Sequence, residues 1–327
     1  MNIRTIVTTM KNEGPFLLEW IAYNRWIGFT DFLVYTNDCD DGTDLLMDRL
    51  NEMAIVTHVR NENFARKGPQ RIALRQANSH PVVQKSDWLM ALDVDEFINI
   101  HVGDGKLDDL FAACPDANVI SLVWRLFGNK NIANYEDSFV TEIFTKCAKR
   151  FQKRPVQAVG LKTLYRNDNL FGALGIHRPK QPVEERREAI KWVNGSGLPI
   201  DQEYIDGGWR AGREFGFGDE LARINHYSVR TAESFLVKRD RGRTNHVGDD
   251  QGLQYWERMN QNRTNNKSIQ TKIPAFRLEY DRLLADPVIA ELHAKACAWH
   301  RGKIAELKAR PDYAAFFAQI TTDKLAE

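Results

Sequence analysis

Three acids close the apolar run Trp88-Leu89-Met90-Ala91-Leu92: Asp93, Asp95 and Glu96 fall within four residues. A short apolar run bounded by polar residues suits a buried strand, and in α/β sheets ligands collect beyond the carboxyl ends of strands. On an extended backbone Asp93 and Asp95 face the same way, with α-carbons roughly 6.5–7 Å apart. Two convergent carboxylates are hard oxygen ligands that suit Mg²⁺ or Mn²⁺, above all where substrate phosphates complete the shell. The plainer reading of the same residues is a polar turn after a core strand.

Holding such a pair takes a sheet, and the sequence lays one out. Residues 3–9 alternate β-branched side chains and read as a first strand. In the loop Lys11-Asn12-Glu13-Gly14-Pro15, Asn12 suits a helix cap and Pro15 the first turn. Phe16, Leu17, Trp20, Ile21, Asn24 and Ile27 then recur at helical spacing up to Gly28. A second strand is expected over residues 31–36, followed by the acidic, turn-rich loop 37–43 and a helix over 44–50. A third strand over 55–59 and a helix over 70–79 lead into the acid-tipped strand. Four such alternations argue for a Rossmann-like, doubly wound and mostly parallel sheet. Its first loop, its acidic loop and the D-x-D then share one edge, a nucleotide cleft.

Past residues 97–100 the pattern gives a helix over 107–113 and a strand over 119–124. The stretch 129–199 mixes Pro, Gly, Arg and Asn with short apolar runs and reads as loops that shape an acceptor pocket. Residues 221–227 resemble a strand entering a polar turn at His226, and a helix over 232–239 runs into the basic cluster 238–243. Residues 280–320 are helical by pattern and divided by Pro287 and Pro311. The expected organisation is a unit over 1–245, with a nucleotide-sugar half to about 125 and an acceptor half from 126, and a helical extension over 246–327.

Forty-five Lys and Arg against 44 Asp and Glu give a net charge of +1, which removes any global argument for nucleic acid or an anionic membrane as partner. The four cysteines, Cys39, Cys114, Cys147 and Cys297, show no ligand-like spacing, so neither a zinc site nor a disulfide framework is suggested and a reducing compartment fits. No run approaches the roughly 18 apolar residues of a membrane span. The expectation is a soluble cytoplasmic protein with at most peripheral membrane contact; oligomeric state is not legible.

Several stretches together resemble family-2-like glycosyltransferases of the GT-A type, in particular a bacterial branch with a "KNE…EW" opening and a "DWLM.LDVDEF" centre. They are Lys11-Asn12-Glu13 with Glu19-Trp20, Asp41-Gly42-Thr43, Asp87-Trp88 through Phe97, Trp124 with Phe127-Gly128, and Asn225-His226-Tyr227 with Lys238 and Arg241-Gly242. The resemblance implies a GT-A fold that moves a sugar from a nucleotide-diphosphate donor to a saccharide, lipid-linked or surface-polymer acceptor, with Mn²⁺ or Mg²⁺ on the pyrophosphate. Carried onto this chain, Asp95 is the main metal ligand, Asp93 touches the ribose or the metal through water, and His226 completes the metal site or touches the pyrophosphate. Lys238 and Arg241 add point charges for a leaving diphosphate. Thr8, Lys11 and Glu13 after the first strand, and Asn37 and Asp38 after the second, hold the nucleoside; Arg71 reaches the donor phosphates.

Each of these residues also has a bland reading. Acids near a helix start, such as Glu13, favour the first turn, and cations such as those of 238–243 favour a helix end. His226 reads equally as a satisfied histidine beside Tyr227, and Trp192, Trp209 and Trp256 as buried aromatics before sugar-stacking ones. The acceptor's general base stays open among Asp219-Glu220, Glu136-Asp137 and Glu184-Glu185, and with it inversion or retention. Rival functions are a D-x-D phosphatase, a nucleotidyltransferase and a non-catalytic glycan-binding protein. The phosphatase motif belongs near the N-terminus and the nucleotidyltransferase needs a Gly-rich first loop.

Overall fold

A computed structural model describes residues 2–62, 68–201, 203–208, 218–242 and 251–322. Trp209 and Arg243 of the sequence reading lie outside the described residues. The centre is β1 (Arg4–Met10), whose seven residues are all buried. Its β-branched residues suit a strand covered on both faces. Period-2 alternation sends Ile6 and Met10 into the core beneath α1 (Gly14–Ile27) and Val7 into a second core on the other face of the sheet.

The sheet of nine strands among the described residues runs β3 (Thr57–Arg60), β2 (Asp31–Thr36), β1, β4 (Trp88–Ala91), β7 (Leu161–Arg166), β6 (Val119–Leu126), β9 (Ala222–His226), β5 (Glu96–Ile100), with β8 (Trp192–Asn194) on β6. Strands β3, β2, β1 and β4 are parallel. Strand β7 enters antiparallel to both β4 and β6, with Leu89 opposite Tyr165 and Ser121 opposite Thr163. The α/β architecture read from the sequence holds. The longer helices are α1, α2 (Thr43–Glu52), α3 (Pro69–Ala77), α4 (Ala232–Arg241), α5 (Ile273–Leu284), α6 (Pro287–Ala309) and α7 (Pro311–Thr322). Pro287 and Pro311 open α6 and α7 as expected, and α5 and α6 pack on α1. No helix among the described residues is long and apolar enough to cross a membrane.

Three expectations are corrected. The run ending in acids is not one strand: β4 stops at Ala91, Val94 and Asp95 form a turn, and β5 starts at Glu96. Glu96 N–H donates to Asp93 O at 3.0 Å, and Glu96 Oε2 accepts from Asp93 N–H at 2.9 Å, so Asp93 and Asp95 do not share an extended backbone. Asn12 does not cap α1. Its backbone has φ +53 and its Oδ1 accepts from Asp40 N–H at 2.8 Å, while Asp41 Oδ2 takes the α1 N–H of Gly14 at 2.9 Å. The acidic loop thus satisfies the helix start across 27 residues. Finally, the stretch expected to be loops contains β7 and β8, both inside the main sheet.

Candidate active site

A cavity of about 520 Å³ opens beyond the ends of β1, β4 and β9. Thr9, Lys11 and Glu13 reach it from the first strand and its loop, Gln70 and Arg71 from the start of α3, and Asp93 and Asp95 from the turn. Trp124, His177, His226, Lys238 and Arg241 close the far side. The β9–β5 register sets His226 opposite Glu96, and Tyr227 N–H donates to Asp95 O at 2.8 Å. Strand pairing is what brings the late histidine to the acids.

Asp95 is buried, at 9% exposure. Its Oδ2 accepts from Lys238 Nζ at 2.7 Å, and His226 Nε2 stands 3.5 Å from Oδ1. Burial opposes ionisation, yet Lys238 and His226 outweigh it and hold the carboxyl well below its ordinary range. Asp93 turns elsewhere: Oδ1 accepts from Gln70 Nε2 at 3.0 Å and Oδ2 from Lys162 Nζ at 2.9 Å. Lys162, on β7, is 0% exposed and also lies 3.4 Å from Glu96 Oε2. Burial pushes the Glu96 carboxyl up to about 8, with Lys162 opposing.

Glu13 bridges two guanidinium groups. Arg230 Nη1 donates to Oε2 at 2.9 Å, and Arg241 Nη1 contacts Oε1 and donates to Lys11 O at 2.6 Å. Burial works against its charge, but Arg230 and Arg241 keep the carboxyl below its ordinary value. The end of α4 is therefore tied to the first loop, and Arg241 is fixed facing the cavity. The Arg230 guanidinium also covers the Phe16 ring at 3.6 Å.

Of the residues singled out from the sequence, Lys11, Glu13, Arg71, Asp93, Asp95, His226, Lys238 and Arg241 line this cavity and Thr8, Asn37 and Asp38 do not. Thr8 points to the α1 side of β1 with Ile6 and Met10, and its neighbour Thr9 takes the cavity side. Asn37 is buried and donates from Nδ2 to Asp38 Oδ2 at 3.2 Å, while Asp38 is exposed, with Lys11 Nζ 4.0 Å from its carboxylate. Lys162, Gln70, Thr9, Arg230 and His177 escaped the sequence reading. The sequence marked Lys162 only as part of one of the short apolar runs, residues 160–166, within 129–199.

None of the expected base candidates reaches the cavity. Asp219 is buried against Arg150 at 2.6 Å and Arg223 at 3.4 Å, Glu220 contacts Arg150, and Asp137 faces His293 at 3.6 Å. Glu136, Glu184 and Glu185 are exposed. Among the described residues, the cavity's carboxylates are Glu13, Asp93 and Asp95. Trp124 lines the cavity between two imidazoles, its ring centroid 4.6 Å from His226 and 5.5 Å from His177. Trp192 and Trp256 are buried, and Trp192 Nε1 donates to Ser121 Oγ at 2.9 Å.

The "EW" pair is structural. Glu19 accepts from Val140 N–H at 2.8 Å, Thr141 N–H at 3.1 Å and Thr141 Oγ1 at 2.7 Å, a cap supplied from α1 to a short helix 121 residues away. Trp20 Nε1 donates to Glu96 O at 3.0 Å, anchoring the strand that leaves the acidic turn.

Chemically, the cavity offers Asp95 and His226 as a ligand pair for a hard cation, and Lys11, Arg71, Lys238 and Arg241 as charges for an anion. Among curated proteins, a Ricinus communis glycosyltransferase family 92 protein is 28% identical over 152 residues, 42% of this chain and 25% of that protein. An Arabidopsis thaliana member of the family is 32% identical over 96 residues, 28% and 16% of the two chains. An Oryza sativa member is 24% identical over 213 residues, 61% and 32%. The matches thus span a third or less of the relatives' own length. Among solved structures, Staphylococcus aureus TarS 1–349 overlaps 51% of this chain and 47% of its own at 16% identity and a TM-score of 0.31. Its complex with UDP overlaps equally, at 18% identity and 0.30; similarity this shallow carries no functional weight. The model for glycosyltransferase family 92 matches residues 7–196, more than half of the 327 residues, and the chain belongs to that family.

Proposed function

We propose that this chain transfers a sugar from a nucleotide-diphosphate donor bound in the cavity to a saccharide, lipid-linked or surface-polymer acceptor, on a GT-A-like core resembling family-2-type enzymes. The observation that carries the reading is the Asp93–Asp95 turn set against Lys238, Arg241 and Arg71 in one cavity. Carboxylates for a cation and cations for a diphosphate line a single cavity. Residues 1–245 form the transferase unit in this account, braced by the helices of 246–327.

A divalent ion fits part of the expected ligand set. Asp95 Oδ1 and His226 Nε2 stand 3.5 Å apart, and His226 Nδ1 is buried without a hydrogen-bond partner among the described residues. Asp95 and His226 are the residues to hold Mn²⁺ or Mg²⁺. Asp93, held by Lys162 and Gln70, serves the ribose or a water in the ion's shell. A bound ion supplies Lewis-acid stabilisation of the departing diphosphate. The chain's own part is charge: Lys238 and Arg241 line the cavity as cations for the diphosphate's developing negative charge, and Glu13 holds Arg241 facing it.

The test is turnover. A panel of nucleotide sugars is incubated with the protein, Mn²⁺ or Mg²⁺ and a mixed glycan acceptor array, and nucleoside diphosphate release is read. One donor consumed in a metal-dependent way, and lost in Asp95→Ala, is expected. Release from no donor with either metal contradicts the reading.

A further inference from the structure

Away from the cavity, Asp137, His293 and Cys297 bring one oxygen, one nitrogen and one sulfur within 4.8 Å of one another. His293 and Cys297 sit one helical turn apart on α6 and are buried, at 5% and 1% exposure. Asp137 comes from the loop before the short helix Val140–Ile143. Its Oδ1 is 3.6 Å from His293 Nε2, and Cys297 Sγ is 3.7 Å from the same nitrogen. Tyr280 Oη is a third neighbour of Nε2 at 3.3 Å, and Nδ1 has no hydrogen-bond partner among the described residues.

Two ordinary readings fit poorly. A nucleophile–base–acid relay needs the thiol on one ring nitrogen and the carboxylate on the other, whereas both groups face Nε2. As hydrogen bonds the contacts of Nε2 are long, 3.3 Å to Tyr280 Oη and 3.7 Å to Cys297 Sγ, and one ring nitrogen carries at most one proton for three neighbours. The separations instead match the edges of a coordination shell. With zinc about 2.0–2.1 Å from nitrogen or oxygen and about 2.3 Å from sulfur, tetrahedral partners lie about 3.3 Å (N and O) and about 3.6 Å (N and S) apart.

We propose that Asp137, His293 and Cys297 bind a zinc-like divalent ion, with the fourth position toward Tyr280 Oη or water. The mixed N, S, O set suits a borderline-soft metal and is a poor match for the Mg²⁺ or Mn²⁺ that suits Asp95. The scattered cysteines hid the site, because its carboxylate comes from a loop 156 residues before His293 in the chain. The ion pins that loop to α6. Two residues before Asp137, the Tyr135 ring packs edge-on to Phe16 at 6.2 Å, beneath the Arg230 that pairs with Glu13. A structural ion here braces one wall of the cavity.

The test strips the full chain with a chelator and titrates it separately with Co²⁺ and Zn²⁺. One thiolate-ligated Co²⁺ per chain is expected, seen as a near-ultraviolet sulfur-to-cobalt charge-transfer band that Zn²⁺ displaces. Cys297→Ser removes the band and weakens zinc binding by at least the about tenfold that even an outer-shell change costs. Asp95→Ala, in the cavity, leaves the band intact. Asp137→Asn, at an exposed residue, weakens zinc binding without lowering the melting temperature of the metal-free protein, which separates ligation from folding. A parent chain that shows no sulfur-to-cobalt band, or a Cys297→Ser chain with parental zinc affinity, overturns the proposal.

Discussion

Replacing Lys162 by Met removes the cation that joins the acidic turn to the sheet. The lysine is 0% exposed, and its ammonium lies 2.9 Å from Asp93 Oδ2 and 3.4 Å from Glu96 Oε2. Methionine fills most of the space, so the loss is one of charge more than of volume. Asp93 has a side chain 36% exposed and can rehydrate, whereas Glu96, at 0%, cannot and stays protonated, its carboxyl already raised to about 8 beside the lysine. What is lost is the charge-assisted hydrogen bond to Asp93 and the contact with Glu96, about 1.5–3 kcal/mol. For a chain of this size that corresponds to a melting temperature lower by roughly 3–6 °C, at about 2 °C per kcal/mol. Glu96→Gln keeps an acceptor for the Asp93 N–H and exchanges one neutral group for another. The Lys162→Met/Glu96→Gln double variant should therefore melt close to Lys162→Met in differential scanning calorimetry at about pH 6. A single variant that melts within about 1 °C of the parent, or a double variant that recovers most of the loss, refutes the reasoning.

Three further outcomes follow from the same geometry. The folded-state carboxyl of Glu96 is raised to about 8 from an ordinary 4.5, so the fold holds a proton that the unfolded chain releases. Its contribution is whole below pH 4.5 and is lost as pH rises through about 8. Denaturant unfolding at about pH 6 and about pH 9 should show a decline that is shallower in Glu96→Gln, and an unchanged slope in that variant would exclude the assignment. Thr9→Val should weaken nucleotide-sugar binding while Thr8→Val should not, because only Thr9 lines the cavity; equal effects on KM would contradict the strand's facing. At Gly160 an added Cβ would meet the Trp124 ring at 2.2 Å. Gly160→Ala should therefore displace Trp124 from between His226 and His177, lowering stability by about 1–3 kcal/mol and raising KM, and a variant with parental melting and kinetics would disprove the contact.

The sequence carried the parallel half of the fold because each β-α step there is local: an apolar run, a turn residue, an amphipathic stretch. It also located the cavity's charges, since His226 and Arg241 end β9 and α4, Lys238 sits in the last turn of α4, and Asp95 stands in the turn between β4 and β5. What stayed hidden was long-range or a matter of parity. Lys162 reaches Asp93 across 69 residues through a strand whose lysine and threonine break the apolar signal. Thr8 and Thr9 differ only in which face of β1 they take. Residues matched by motif also divide by role: Glu13, Glu19, Trp20 and Asp41 hold loops and helix ends together. Spacing alone cannot tell such a brace from a ligand.

Mn²⁺-dependent binding of a nucleoside diphosphate, followed by isothermal titration calorimetry, tests the central claim most directly. The parent chain should bind the diphosphate with Mn²⁺ present and at least about tenfold more weakly after chelation, equivalent to 1.4 kcal/mol. Asp95→Ala should abolish the metal dependence, read at a temperature below its melting point, which the loss of the buried Lys238 pair lowers. Equal affinity with and without Mn²⁺, or a metal-dependent Asp95→Ala, would contradict a donor site centred on the acidic turn.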